Sequence, residues 1–175
     1  VYKGQVNKLH SGVSGMTWLS FTTNDGLANN KVTRIDEAPN GDLWFSHSSF
    51  SAGASVFDGS NWISYNSPDL PISGVCATSF SDNGDIWFAS PLDGLAHFDG
   101  TNFTNYSAND GLLSNYSTSV LVDNSNNIWL GSQDGMTVMN STANQFTFHT
   151  IMYTLPPPDT LNPVTEIAKD SWGRI

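Results

Sequence analysis

The feature that most constrains this chain is a short tryptophan motif that recurs at a nearly constant spacing. Turn residues followed by an apolar pair with tryptophan stand at 40–45, 83–88 and 125–130, and the tryptophans are 43 and then 42 residues apart. Asn-Gly favours a tight turn between antiparallel strands, and the apolar run that follows reads as a strand. A period of this length indicates repeated copies of one supersecondary unit.

Each copy contains four short apolar segments separated by turn residues. In the middle copy they lie near 73–80, 86–89, 94–98 and 102–106, with Asn-Gly after the first and Asp-Gly after the third. Four short strands in each repeat, joined by two-residue turns, are typical of a β-propeller blade. We therefore predict an all-β propeller of four-stranded antiparallel blades. The predicted complete blades lie at about 27–65, 70–106 and 112–149.

The two ends of the chain read as partial copies of the same unit. Within residues 1–21, Thr17–Phe21 matches the fourth strand at Asn61–Tyr65, and residues 161–175 match a first strand and its turn. The sequence thus predicts a single propeller domain over 1–175, or part of one. Either the partial blades complete one another in a four-bladed ring, or the remaining blades and downstream domains belong to a longer chain.

Charge and composition narrow the class of partner. The chain carries 16 acidic and six basic residues, a net charge of −10, without a Lys/Arg cluster. Nucleic acid is therefore not expected as a partner, and neither is an anionic membrane surface. No apolar run approaches the roughly 18 residues of a membrane span, so membrane attachment would need a segment not present here. The polar but weakly charged composition favours an extracytoplasmic location: periplasmic, cell-surface or secreted.

Motifs for catalysis and metal binding are missing from the sequence. Cys76 is the only cysteine, which excludes an internal disulfide, and it lies in an apolar run typical of a buried thiol. The acid- and amide-rich turns at 82–85 and 123–127 lack the ligand spacing of an EF-hand, and there is no Gly-x-Ser-x-Gly elbow. We predict no enzymatic activity, no cofactor and no metal site.

Loop length predicts where a ligand would bind. The tight turns after the first and third strands share one face, which we call the hairpin face. The longer, more varied loops after the second strand and between blades share the opposite face, the loop face. Binding residues are usually carried by variable loops on a regular scaffold. The predicted ligand-binding residues are Asn30, His47, Phe50, Tyr116 and Gln133.

The combined pattern at 25–35, 40–45 and 56–65 resembles the two-component regulator propeller repeat, and Asp110–Asn115 repeats its linker. The resemblance implies a bacterial propeller of the kind found in hybrid histidine kinase ectodomains that sense carbohydrate fragments, and in secreted, surface and secretion-system proteins. The related streptogramin lyases use a metal with catalytic His and Glu. The four histidines here, His10, His47, His97 and His149, form no motif that matches theirs.

The expected function is a non-catalytic extracytoplasmic module that binds a glycan or a protein on its loop face. Two alternatives remain open at the level of sequence. One is a lyase-type propeller with a metal at its axial mouth, and the other is a structural component of a surface or secretion assembly.

Overall fold

The computed structural model describes residues 6–12, 15–50, 52–142, 145–151 and 163–175. Within these ranges the chain forms fourteen β-strands and one short 3-10 turn at Ala108–Asp110. The strands are β1 (Val6–Gly12), β2 (Gly15–Phe21), β3 (Arg34–Glu37), β4 (Leu43–Ser46), β5 (Ala54–Phe57), β6 (Trp62–Tyr65), β7 (Ala77–Phe80), β8 (Ile86–Ser90), β9 (Gly94–Phe98), β10 (Phe103–Tyr106), β11 (Ser117–Val122), β12 (Ile128–Ser132), β13 (Gly135–Thr142) and β14 (Gln145–Ile151). None of the described residues forms a helix long and apolar enough to cross a membrane.

The strands pair in sequence order into antiparallel sheets. β1 and β2 form a hairpin, and three four-stranded sheets follow: β3–β6, β7–β10 and β11–β14, here the first, second and third sheets. The expected all-β architecture of four-stranded antiparallel blades is confirmed. The inner strand β7 begins later than the apolar pattern at 73–80 suggested. In the second sheet, the Val75 N–H donates to the carbonyl of His47 in the preceding sheet (2.9 Å), so the chain reaches β7 only after crossing between sheets.

The repeated tryptophans lie in the second strand of each sheet, and the first two fill the space between neighbouring sheets. Trp44 stacks on Tyr65 with a centroid distance of 5.5 Å and lies 5.6 Å from Phe88 of the second sheet. Trp87 is only 2% exposed and belongs to the apolar cluster between the second and third sheets. Such large rings contribute most of the apolar area that holds adjacent blades together.

Polar contacts join neighbouring sheets close to their inner strands. Thr78 Oγ1 lies 3.1 Å from Ser46 Oγ, and the Val122 N–H donates to Ser79 Oγ at 2.9 Å. The Cys76 thiol lies 3.3 Å from the carbonyl oxygens of both Ala89 and Ser117, the latter in the third sheet. Burial raises the pKa of this thiol to about 11.

The turn before each second strand closes with the same two backbone hydrogen bonds at 38–42, 81–85, 123–127 and 170–174. The fourth copy shows that the last described segment continues the repeat. Its Val164 N–H donates to the Ser132 carbonyl at 2.9 Å, as Val75 does to His47. Segment 163–175, which contains no assigned strand, therefore lies against the third sheet where a next inner strand would lie.

Candidate functional site

On the loop face, the structure places His47 differently from the expectation. Its side chain is fully buried, with Nδ1 3.1 Å from the Lys31 carbonyl oxygen and Nε2 2.9 Å from Ser55 Oγ. Burial lowers the pKa of the imidazole, and the contact with the Lys31 carbonyl opposes this only in part. His47 is thus a neutral structural group beneath the loop face, held between the Lys31 carbonyl and Ser55 of β5.

Asn30 also has a structural partner. Its Oδ1 accepts a hydrogen bond from the Thr23 N–H at 2.8 Å, which braces the loop between the β1–β2 hairpin and the first sheet. Asn115 repeats this contact with the Ala108 N–H at 2.7 Å in the loop before the third sheet. The same amide at the same repeat position indicates a brace for the loop.

The other three predicted residues are accessible on the loop face. Phe50 is 78% exposed and Tyr116 is 47% exposed, and Gln133 is also exposed. The Gln133 N–H donates to the Tyr116 carbonyl at 3.3 Å, which holds these two residues side by side. Phe50 lies in the loop that follows β4 of the first sheet. No described contact joins it to Tyr116 or Gln133.

The hairpin face carries two cavities that sequence reasoning assigned to plain turns. Each lies in a groove between the turns of two successive sheets. The first groove lies between the 38–42 and 81–85 turns, and the second groove lies between the 81–85 and 123–127 turns. The first groove has a cavity of about 200 Å³ and includes Trp44, Phe80 and Ile86 among its lining residues. The second groove has a cavity of about 310 Å³, lined by Ser81, Asn83, Asp85, Trp87, Ser125, Asn126 and Ile128.

An Asp–His pair distinguishes the second groove. Asp85 Oδ2 lies 2.9 Å from His97 Nε2, and the His97 ring stacks on Trp87 with a centroid distance of 4.2 Å. His97 pairs with Trp87 across β8 and β9, and the residues at this position in the other sheets are Val56 and Val138. A histidine where the other copies have valine was the sequence signal that could have directed attention here.

Hydrogen bonds lower the pKa values of several turn aspartates on the same face. Backbone N–H groups of Asn102 and Thr101 donate to Asp99 Oδ1 and lower the pKa of its carboxyl. Burial acts against ionisation of Asp123, but hydrogen bonds from Trp129 Nε1 and from Asn127 outweigh it, and its pKa is also lowered. These carboxylates stabilise turns by accepting hydrogen bonds from their own backbone and neighbouring side chains.

The described residues contain no group of three or more His, Cys, Asp and Glu side chains placed to hold a metal ion. The side chain of His10 lies outside the described part of the structure. What the two faces offer chemically is therefore aromatic contact at the loop face, and hydrogen bonding beside the Asp85–His97 contact at the second groove.

Comparison with known proteins decides the repeat type. The family model described as two component regulator propeller matches residues 111–134, which span the linker, β11 and the turn and strand that follow. This segment is a two-component regulator propeller repeat. The resemblance seen in the sequence is thereby confirmed. No curated protein sequence matches the chain.

Solved structures share the propeller fold at low identity. They include the extracellular domain assigned to the one component system BT4673 of B. thetaiotaomicron (17% identity, TM-score 0.71), with 98% of this chain and 25% of that chain covered. PorZ, a bacterial surface component of the type-IX secretion system of Porphyromonas gingivalis, is also similar, with 17% identity and a TM-score of 0.56 over 85% of this chain and 25% of that chain. XC5397, a gluconolactonase from Xanthomonas campestris, shares 16% identity with a TM-score of 0.59 over 94% of this chain and 59% of that chain. The chain thus spans a quarter to three fifths of the length of these proteins.

Proposed function

We propose that this propeller chain is a non-catalytic extracytoplasmic recognition module that binds a glycan or a protein through its loop face. The observation that carries the proposal is the exposure of two aromatic side chains, Phe50 and Tyr116, on loops held by four-stranded sheets. Exposed rings on a rigid frame supply contact area at little conformational cost, which is how recognition surfaces gain affinity.

Hydrogen bonding at the same face complements the rings. Gln133 is exposed beside Tyr116, and its amide offers both donors and an acceptor to a hydroxyl-rich or peptide ligand. The net charge of −10 favours a neutral or basic ligand over an anionic one. An extracytoplasmic location agrees with two of the similar structures, an extracellular domain and a surface component.

Screening the protein for binding on a glycan array, followed by titration with the best ligand, tests the proposal. Tyr116→Ala and Phe50→Ala should each weaken binding by about tenfold, since loss of one buried aromatic contact commonly costs more than 1 kcal/mol. Trp18→Ala is the matched control, because Trp18 is an aromatic residue of β2 with 69% exposure, in the N-terminal hairpin. Equal effects of all three substitutions would contradict a ligand site at the loop face.

A metal assay tests the non-catalytic part of the proposal. Protein purified without chelators should contain no stoichiometric transition metal. A bound metal at one equivalent would favour the lyase-type alternative. Binding to proteins of a surface assembly without binding to any glycan would favour the structural alternative.

A further inference from the structure

The turn before the second strand changes its chemistry in the last of its four copies on the hairpin face. The copies share the same backbone hydrogen bonds and lie at 38–42, 81–85, 123–127 and 170–174. In the fourth copy the third residue is Trp172, where the other copies have Asn or Ser, and the fifth is Arg174, where the others have Asp or Asn. The fourth turn therefore presents an aromatic ring and a cation where the others present polar or acidic groups.

Trp172 and Arg174 together form an exposed projection, which we call the knob. Trp172 is 77% exposed, and the Arg174 guanidinium carbon lies 4.8 Å from the centre of its ring, within the range of a cation–π contact. Arg174 Nε donates to Asp170 Oδ2 at 2.6 Å within the same turn. The Gly173 N–H donates to the Asp170 carbonyl oxygen at 3.0 Å, which closes the turn beneath the knob.

The turn of the third sheet holds the knob in place. Lys169 Nζ lies 2.8 Å from Asn124 Oδ1, and a methyl group at Gly173 would clash with the Asn124 side chain. The third residue of the turn is exposed in all four copies, including those of the second and third sheets, which have described neighbours on both sides. The exposure of Trp172 thus follows from its position in the repeat.

The first groove has the complementary chemistry on the same face. Its cavity of about 200 Å³ has an apolar part formed by Trp44, Phe80 and Ile86. Asp42 and Asp82 also line the cavity, and none of its described lining residues is Lys or Arg. Within the described part of the chain, no ion pair involves either carboxylate. An apolar cavity bordered by two carboxylates suits an aromatic ring that carries a cation beside it.

Charge favours a second copy of this chain as the occupant of the first groove. Within one copy the second groove lies between the knob and the first groove, so the two complementary surfaces are available to another molecule. The net charge of −10 makes two copies repel each other in most orientations. An orientation that places Arg174 against Asp42 and Asp82 brings opposite charges together, and such complementarity selects one orientation over others.

We propose that the hairpin face is a self-association surface, in which the knob of one copy enters the first groove of a second copy. Trp172 packs on the apolar part of the groove, and Arg174 pairs with its carboxylates. Because knob and groove share one face, a two-fold axis parallel to that face exchanges them, so each copy gives one knob and receives one. The loop face remains free, and the inference is therefore independent of the proposed recognition function.

Sedimentation velocity of the 175-residue chain tests the self-association. The concentration range should extend from about 1 μM to about 1 mM, since small interfaces bind weakly. Wild type should show a monomer–dimer equilibrium within this range. Trp172→Ala should raise the dissociation constant at least about tenfold, because exposed Trp residues that become buried in an interface dominate its affinity. Trp18→Ala, which removes an exposed tryptophan of the N-terminal hairpin, should leave it unchanged.

A charge swap separates the contact from any loss of folding. Arg174→Glu and Asp82→Lys should each weaken self-association by about tenfold, because like charges then face one another. An equal mixture of these two variants should form a heterodimer, since the acidic knob meets the basic groove and the other knob and groove are wild type. Asp69→Lys makes the same change of charge at an exposed position of the loop face and should have no effect.

Three results would overturn the proposal. The first is a wild-type protein that remains monomeric at 1 mM, about the weakest affinity that the proposal allows. The second is an equal effect of Trp172→Ala and Trp18→Ala. The third is a mixture of Arg174→Glu and Asp82→Lys that associates no better than either variant alone.

Discussion

His47 leaves β4 in a loop, yet its imidazole is fully buried against Lys31 and Ser55. Burial lowers its pKa below the ordinary value of 6.5, so the folded protein binds this proton more weakly than the unfolded chain does. When the unfolded state binds more protons, the free energy of unfolding rises with pH. The contribution of His47 to stability is thus complete above about pH 6.5 and declines as the pH falls below it.

We expect urea unfolding to show decreasing stability of the wild type between pH 7 and pH 5. His47→Gln should be less stable at pH 7 by about 1–3 kcal/mol, because one buried polar contact is lost, but its stability should depend less on pH in this window. Parallel pH profiles for the two proteins would contradict a neutral, buried His47.

Two glycines allow backbone strain to be separated from packing. Both have positive φ, +94° at Gly84 and +87° at Gly94. A methyl group at Gly84 meets nothing within 4 Å, whereas at Gly94 it would clash with the Tyr106 carbonyl oxygen and stand 3.0 Å from Leu112 Cδ1. The two sites thus differ in crowding and share the same unfavourable conformation.

Gly84→Ala should reduce the free energy of unfolding by about 1–2 kcal/mol, the cost of left-handed backbone for an L-residue. Gly94→Ala should reduce the free energy of unfolding by about 1–3 kcal/mol more than Gly84→Ala, because the added methyl group would overlap the backbone carbonyl oxygen of Tyr106. Denaturant unfolding of the two variants measures the difference. Equal losses would show that the sheet moves away from the loop at no cost.

At the scale of elements, the loops between sheets are fixed by one repeated amide. Asn30 and Asn115 each accept a backbone N–H seven residues earlier, from Thr23 and Ala108. Asn30→Ala and Asn115→Ala should each destabilise the protein by about 1 kcal/mol, the usual net value of one hydrogen bond. Asn109→Ala, an exposed residue of the same type of loop, should change stability by less than about 0.5 kcal/mol. Thermal unfolding of the three variants makes the comparison.

The strands followed from the sequence because their signals are local. Asn83–Gly84 and Asp99–Gly100 turn where predicted, and the alternating apolar residues between them have one buried arrangement in a sheet. The sites did not follow, because they depend on pairs of sheets. Asp85 and His97 meet only through the register of β8 with β9, and the groove beside them exists only once the third sheet packs. The burial of His47 also depends on a contact outside its own loop, because Ser55 Oγ of the next strand lies 2.9 Å from its Nε2.

At the scale of the whole molecule, segment 163–175 is held on the third sheet by close contacts around Gly131. A methyl group there would stand 2.9 Å from Val164 Cγ1 and from the Val164 carbonyl oxygen, and would clash with Ser119 Oγ. An ion pair also joins Glu166 to Arg34 of the first sheet, at 3.8 Å. The segment therefore contacts both the third sheet and the innermost strand of the first.

Gly131→Ala should loosen this segment without unfolding the sheets. The expected cost is about 1–3 kcal/mol of overpacking, and the Val164 amide, which donates to the Ser132 carbonyl, should exchange with solvent faster. Hydrogen exchange measures this directly. Gly41→Ala, at a site with open space around it, should leave exchange at Val164 unchanged. Unaltered exchange in Gly131→Ala would mean that the segment is not seated on the third sheet.

The single thiol at the boundary between the second and third sheets allows chemical labelling to measure how often these sheets separate. With a pKa of about 11, Cys76 is thiolate in only about one molecule in a thousand at pH 8, and only the thiolate attacks a disulfide reagent. Separation of the inner strands would hydrate Cys76 and restore ordinary reactivity. The labelling rate should therefore report how often two neighbouring sheets part, against a background free of other cysteines.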